Sequence, residues 1–503
     1  MCSERIRKVA IVGGGSAGWM TAAALSKLLD RIVEVELVES DEIGIVGVGE
    51  ATIPQIRNFN DVLELDEDDF IRRTLGTFKL GIEFHNWRRP GHAYIHTFGE
   101  NGIPLGRTPF HHYWLRARHE GLVHDLWDFS ANAKAASAGR FSRADFALGT
   151  RRTSLPYAFH FDASLYAKLL RGYAESRGVR RTEGRVVRVE LHAETGFIRR
   201  LALENGKTVE ADFFIDCSGF RALLIGETLG VGYEDWSHWL PCDRALAVPS
   251  ANAGPLRPFT RSIARRAGWQ WRIPLQHRTG NGHVFCSSHM SEDEATATLL
   301  SNLEGEPLSE PRLIRFTTGR REKFWFRNCV ALGLASGFLE PLESTSIHLV
   351  QSGISRLLSL FPNAGVNQAE VDEYNRQCSL EFARVRDFII LHYLANERTD
   401  PFWQACRDMS PPEELVRKIA LFRASGAIYR EQEDLFAEAS WLQVMFGQGI
   451  EPASYHPLAQ QISRLELEGF LGNLRTVIAR AVAGMPAHDD YLRACCASGD
   501  AVS

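Results

Sequence analysis

Apolar residues run almost unbroken through Lys8-Val-Ala-Ile-Val12, return at helical spacing from Trp19 to Leu29, and fill Val33-Glu-Val-Glu-Leu-Val38 before Glu39. A short apolar run reads as a buried strand and a 3.6-residue period as a helix, so the first forty residues predict strand, helix, strand. The turn between the first two is Gly13-Gly14-Gly15-Ser16-Ala17-Gly18, a G-x-G-x-x-G. In that context the glycines allow a tight turn, close backbone approach to a pyrophosphate and helix packing, while Glu39 stands where a carboxylate accepts ribose hydroxyls. The pattern predicts a Rossmann-like dinucleotide domain.

Two later segments favour FAD over NAD as the dinucleotide. Gly44-Ile-Val-Gly47-Val-Gly49-Glu50-Ala51-Thr52 is a second glycine-rich loop, able to lie against a large planar cofactor. Val209 to Gly219 reads as a returning strand that ends at Asp216, near the ribityl or phosphate part of such a cofactor. No second G-x-G-x-x-G occurs, which argues against a separate nicotinamide domain.

Thr77-Phe-Lys-Leu-Gly-Ile-Glu-Phe84 alternates apolar residues around Lys79, so this ammonium is expected to point into an apolar passage, where desolvation lowers a lysine pKa. Trp269, Trp271 and Ile273 alternate along Gly268–Pro274 and share one face of a strand. In Ser336–Val350 a glycine-bearing turn is followed by Glu343, Ser344, Thr345, Ser346 and a helix start. The first N–H groups of a helix lack internal acceptors and sit at its positive end, so this turn is a candidate anion site with a carboxylate beside it.

Beyond residue 365 the apolar period is helical over Val371–Tyr393 and Pro412–Arg423. The linear expectation is an FAD-binding module over 1–365, with an aromatic-rich substrate insertion at about 80–150, and a helical substrate-covering region over 366–503. The insertion carries His92, His96, His111, His112, His119 and His124, but none has ligand spacing with carboxylates, so an aromatic pocket is expected there and no metal site. A net charge of −5 with interspersed arginines gives no case for nucleic acid. Nine cysteines without C-x-x-C, no apolar leader and no apolar run of about eighteen residues point to a cytoplasmic protein with no membrane span.

With Gly13–Gly18, Gly47-Val-Gly-Glu-Ala-Thr52, Phe78-Lys79-Leu-Gly, Gly268-Trp-Gln-Trp-Arg-Ile-Pro274 and Pro341-Leu-Glu343-Ser-Thr345, the chain resembles the flavin-dependent halogenases of the tryptophan-halogenase family, from residue 1 to about 350. The resemblance implies a flavin monooxygenase-type α/β fold and an FADH2-dependent enzyme. Such an enzyme makes hypohalous acid from halide, bromide or chloride, and O2 at the flavin. It implies Lys79 and Glu343 as the catalytic pair. Thr345 and Ser346 match the halide site, although tryptophan-specific members usually have Gly where Ser346 stands. His96, Phe98 and Trp441 match substrate contacts, and Trp269 and Trp271 a wall between flavin and substrate. Gly13, Gly14, Gly15, Ser16, Ala17, Gly18, Glu39, Gly49, Ala51, Val186, Asp216, Leu334 and Ile347 are assigned to the cofactor. The paired tyrosine and glutamate that grip free tryptophan are not recognisable around Ile428-Tyr429, Leu435-Phe436 and Ala439-Ser440-Trp441. Buried charges need partners, so indole or an indole derivative is expected over the zwitterion. Expected partners are a small aromatic substrate and a separate flavin reductase, for a monomer or homodimer. The alternatives are a flavin-dependent aromatic monooxygenase and a non-catalytic flavin-binding protein.

Overall fold

The apolar run Lys8–Val12 becomes the middle of a six-stranded sheet in a computed structural model that describes residues 5–42, 49–122, 124–148, 151–431 and 434–497. The order is Arg180–Glu183, Glu34–Glu39, Lys8–Val12, Phe213–Asp216, Cys329–Ala331, Trp325–Phe326. The first five run parallel and the last is antiparallel. Register aligns Val12 with Val38 and Asp216, and Asp216 with Ala331, so the carboxyl ends of four strands fall along one edge. Open parallel sheets bind ligands outside that edge. The helix Ser16–Leu28 leaves from it, buried from Gly18 to Ser26.

The returning segment 209–219 is not one strand. Thr208–Glu210 joins a three-stranded antiparallel sheet with Val186–Leu191 and Ile198–Leu203, and only Phe213–Asp216 enters the main sheet. Asp212 makes the break: its Oδ2 accepts from the N–H groups of Arg7 (2.8 Å) and Lys8 (2.9 Å) and so sets the register beside Lys8–Val12. The small sheet buries Val186, Leu201 and Val209 against Ala10, Val12 and Phe214.

These elements belong to a unit made of Met1–Leu75, Phe161–Asp243 and Arg315–Ala383. A second unit is made of Gly76–His160, Arg244–Ile314 and Arg384–Ser503, and so holds the insertion together with the chain from Arg384 onward. The reason is pairing at long range. Gly81–His85 runs parallel to Thr260–Arg265 and antiparallel to Ala93–Thr97, and Gly268–Pro274 lies between Thr260–Arg265 and Thr279–Phe285. The helical expectation after 365 is met by Gln368–Leu394, Pro401–Arg407, Glu413–Ser425, Glu438–Gly447, Arg464–Ala483 and His488–Cys495. Among the described residues no helix is long and apolar enough to cross a membrane.

Candidate active site

In the first unit the glycine turn is shaped as its sequence requires. Gly13 has φ +114°, and a Cβ there would stand 2.2 Å from the Cys217 carbonyl oxygen. A Cβ on Gly18 would stand 1.9 Å from the Gly13 carbonyl, so the helix can pack down only without one. Gly15, by contrast, faces open space, and no side chain caps the helix that starts at Ser16. An uncapped helix start in front of open space, with Ala17 behind it packed on Gly333, is a cradle for a pyrophosphate. The Glu39 carboxylate lies against Gly14 and is held by Arg181 (2.5 Å). The residues present therefore fit a dinucleotide cofactor.

Ala51 is buried and Gly49 opens a short strand beside it, while Gly44 to Val48 lie outside the described residues. Burial, reinforced by the charge of Asp162, pushes the neighbouring Glu50 carboxyl up to about 7. Leu334 sits half-buried in the turn Gly333–Ala335 at the same sheet edge. The side chain of Val186 is core, so only its backbone remains to meet a ligand.

Asp216 is engaged within its own loop. It is fully buried, and its two oxygens accept from Ser218 N (3.0 Å), Ser218 Oγ (2.5 Å), Leu224 N (2.8 Å) and Ile225 N (2.9 Å). Four donors fill both oxygens, so Asp216 shapes the loop after its strand and has no lone pair left for a cofactor hydroxyl. Burial raises its pKa while those hydrogen bonds oppose the rise.

At the candidate anion turn, Pro341–Glu343 forms one 3₁₀ turn, Ser344 takes a left-handed conformation (φ 60°, ψ 36°), and the helix Ser346–Ser359 begins with Thr345 as its N-cap. The Thr345 side chain does not cap it. Thr345 is 0% exposed and its Oγ1 has no hydrogen-bond partner among the described residues. Ser346 and Ile347 supply the first helical N–H groups, and Glu343 is buried two residues before the cap. A buried orphan hydroxyl beside a free helix start is a donor set shaped for a small anion.

The second unit holds Lys79. The segment 77–84 breaks at Leu80, whose N–H donates to Pro258 O (2.7 Å), so Thr77–Lys79 pairs with Ala158–His160 while Gly81–His85 enters the larger sheet. The alternating segment is thus two strands. Lys79 is nonetheless 0% exposed, with Nζ 5.3 Å from the centre of the Phe98 ring. Trp269 and Trp271 are buried on one face with ring centres 6.1 Å apart, and the Trp271 indole lies on Gly282, where a Cβ would stand 2.0 Å from Cζ2.

His96 and Trp441 come together around a ring that sequence reasoning missed. Phe388 lies 5.7 Å from His96, 4.9 Å edge-on from Trp441, and is stacked on Phe436 at 3.8 Å and 18°. Lys418 places Nζ 4.8 Å over the Trp441 ring and 2.8 Å from Asp434. Nothing in the sequence marks Phe388, since an apolar residue at helical spacing reads as core. His111 and His112 are core too: burial pushes them down to about 4 and about 3, and His111 bonds the Gly426 carbonyl at 2.8 Å.

The tryptophan halogenase family model matches residues 8–464. Tryptophan 6-halogenase ThaL of Streptomyces albogriseolus is 34% identical over 97% of this chain and 98% of its own length. Tryptophan 7-halogenase RebH of Lentzea aerocolonigenes is 36% identical over 86% and 84%. The solved structure of Xcc4156, a flavin-dependent halogenase from Xanthomonas campestris, superimposes with a TM-score of 0.96 at 49% identity, covering 99% of both chains. BrvH, a flavin-dependent halogenase from Brevundimonas sp. BAL3, gives 0.93 at 48% over 98% and 99%. A glycine cradle fit for a dinucleotide, an uncapped helix start beside a buried glutamate and a buried lysine facing aromatic rings thus occur in a chain that belongs to the tryptophan halogenase family of flavin-dependent halogenases.

Proposed function

We propose that this enzyme halogenates an electron-rich aromatic, indole or an indole derivative, in preference to free tryptophan. Reduced FAD, when bound, supplies hypohalous acid from O2 and halide. The observation that carries the reading is the Thr345 hydroxyl, fully buried and without a partner among the described residues at the uncapped start of the Ser346–Ser359 helix. It joins the first backbone N–H groups, Ser346 included, to hold the halide. The Gly13–Gly18 turn and Glu39 hold the adenine-side phosphates and ribose, and Gly49, Ala51, Leu334 and Ile347 lie along the cofactor. Lys79 donates a hydrogen bond from Nζ to hypohalous acid or takes the halogen as a haloamine, and so fixes the electrophile in line with the ring. Glu343 accepts the proton that the ring loses as it regains aromaticity. The buried bulk of Trp269 and Trp271 lets a small oxidant pass and keeps a large substrate back.

His96, Phe98 and Trp441 receive the flat substrate by ring contact. The Phe388–Phe436 stack beside them supports a non-zwitterionic substrate, since a buried ammonium and carboxylate need charged partners and two phenyl rings offer none. Lys418 is already matched by Asp434. FADH2 comes from a separate reductase, in keeping with a single G-x-G-x-x-G in the chain.

The test is mass spectrometry of reactions with FAD, a flavin reductase, NADH, and either indole or tryptophan, with bromide, with chloride and without halide. The expected result is a halogen isotope doublet on indole that requires halide, with tryptophan poorly converted. A product that gains oxygen alone, with or without halide, would overturn the assignment.

A further inference from the structure

We infer that His160 and His488 are positioning residues that clamp the strand of Lys79 from two sides as neutral imidazoles of fixed tautomer. The inference rests on the role given to Lys79 above.

The first side is set by register. Thr77 pairs with His160 and Lys79 with Ala158, and residues two apart share a face, so Thr77, Lys79 and His160 lie on the same side of this strand pair. Thr77 Oγ1 donates its one hydrogen to the Pro274 carbonyl at 2.7 Å. Toward His160 Nδ1, at 2.8 Å, it can therefore only accept, which places the imidazole proton on Nδ1. His160 Nε2 lies 2.9 Å from Thr260 Oγ1 and accepts from that hydroxyl. The result is one directed chain, Thr260 to His160 to Thr77 to Pro274. It ties the lysine strand to Thr260–Arg265 and to the end of Gly268–Pro274, the strand of Trp269 and Trp271. Burial, and then the charge of Lys79, hold the His160 imidazole well below its usual pKa.

The second side is set by the C-terminal helix. The backbone N–H of Phe78 donates to His488 Nε2 at 3.2 Å, so that nitrogen carries a free lone pair. His488 Nδ1 is 2.9 Å from the Leu256 carbonyl and must be the protonated nitrogen. Burial, offset in part by that carbonyl, pushes His488 down to about 4. The Phe78 amide would otherwise be a buried donor without a partner. Phe78 itself is packed on by Phe141 and Tyr491, and the ring of His488 lies 6.1 Å away. A lysine side chain has four rotatable bonds, so the position of its ammonium depends on how firmly its strand is held. A misplacement of about 1 Å near a reacting group costs up to a hundredfold in rate.

Asparagine puts its amide close to where the Nδ1 of histidine stands, and glutamine puts it close to Nε2. The atom that touches the lysine strand is Nδ1 at position 160 and Nε2 at position 488. His160→Asn and His488→Gln keep that contact, whereas His160→Gln and His488→Asn remove it, with nearly equal bulk in each pair. The quantity to measure is brominated indole formed per FADH2 oxidised, with flavin affinity and thermal midpoint recorded for each variant. The keeping variants should stay within about twofold of the native ratio and the removing variants should fall roughly tenfold or more, with FADH2 oxidation unchanged in all four. Four equal ratios, or the reverse order, overturn the clamp. Two-bond ¹⁵N–¹H NMR of the native protein checks the tautomers without substitution. Both rings should show Nδ1–H from about pH 6 to 8, and an Nε2–H or doubly protonated ring at either site overturns the inference. Lys79→Ala separates the two readings. If it still brominates at the native ratio, the lysine role fails; if it is silent while the four variants are alike, only the clamp fails.

Discussion

Thr345 shows how a single residue can carry functional information that its type does not. A threonine before a helix reads as a cap, yet its hydroxyl does not cap this one and is buried with no partner among the described residues. Leaving a buried hydroxyl unmatched is unfavourable by about 1–3 kcal/mol, so an anion that accepts from it is favoured by a similar amount. Thr345→Val keeps the shape and removes the donor. It should raise the halide KM about tenfold with little change in FAD affinity, as steady-state bromination at varied bromide would show. Lys79 was legible as a residue but its surroundings were not. The alternation around it is interrupted at Leu80, and its neighbours His160 and His488 stand 81 and 409 positions away in sequence. No local pattern reports partners at such distances.

Elements were legible wherever the pattern is local. The strand, glycine turn and helix of the first forty residues, and the long helix after 365, appear within a residue or a few of their expected bounds, because buried parallel strands and amphipathic helices each carry their own period. The segment 209–219 was read as one strand, since the Asp212 side chain that divides it acts through Arg7 and Lys8 about two hundred positions away. Asp216 was read as a ligand because it ends a strand at the binding edge; in the structure its carboxylate accepts from the donors of the next turn. Asp216→Asn replaces one acceptor oxygen by an NH2 that faces N–H or O–H donors. It should lower unfolding free energy by about 2 kcal/mol, measured by urea titration, and weaken FAD binding as a consequence.

Across the whole molecule the family match spans residues 8–464. Global stability should carry the mark of the Glu50 carboxyl. Glu50 titrates near 7 in the folded chain, above its ordinary value of 4.5, so the native state binds the proton more tightly than the unfolded state. The stability it contributes is fully present below about pH 4.5 and is lost as pH rises through 7. Glu50→Gln should therefore leave stability unchanged near pH 4.5 and raise it by on the order of 2 kcal/mol at pH 8, with thermal midpoints across pH as the check.

The central claim is that halogen reaches the aromatic ring only by way of the Lys79 ammonium. Lys79→Met keeps length and apolar packing while removing the amine, and the decisive measurement is a single-turnover reaction with pre-reduced FAD, O2, bromide and indole. Bromoindole and free hypobromous acid, trapped by a reporter thiol, are to be quantified together. The account predicts normal FADH2 consumption, hypobromous acid in the trap and bromoindole reduced by about a hundredfold or more. Bromoindole at the native yield in that variant would contradict it.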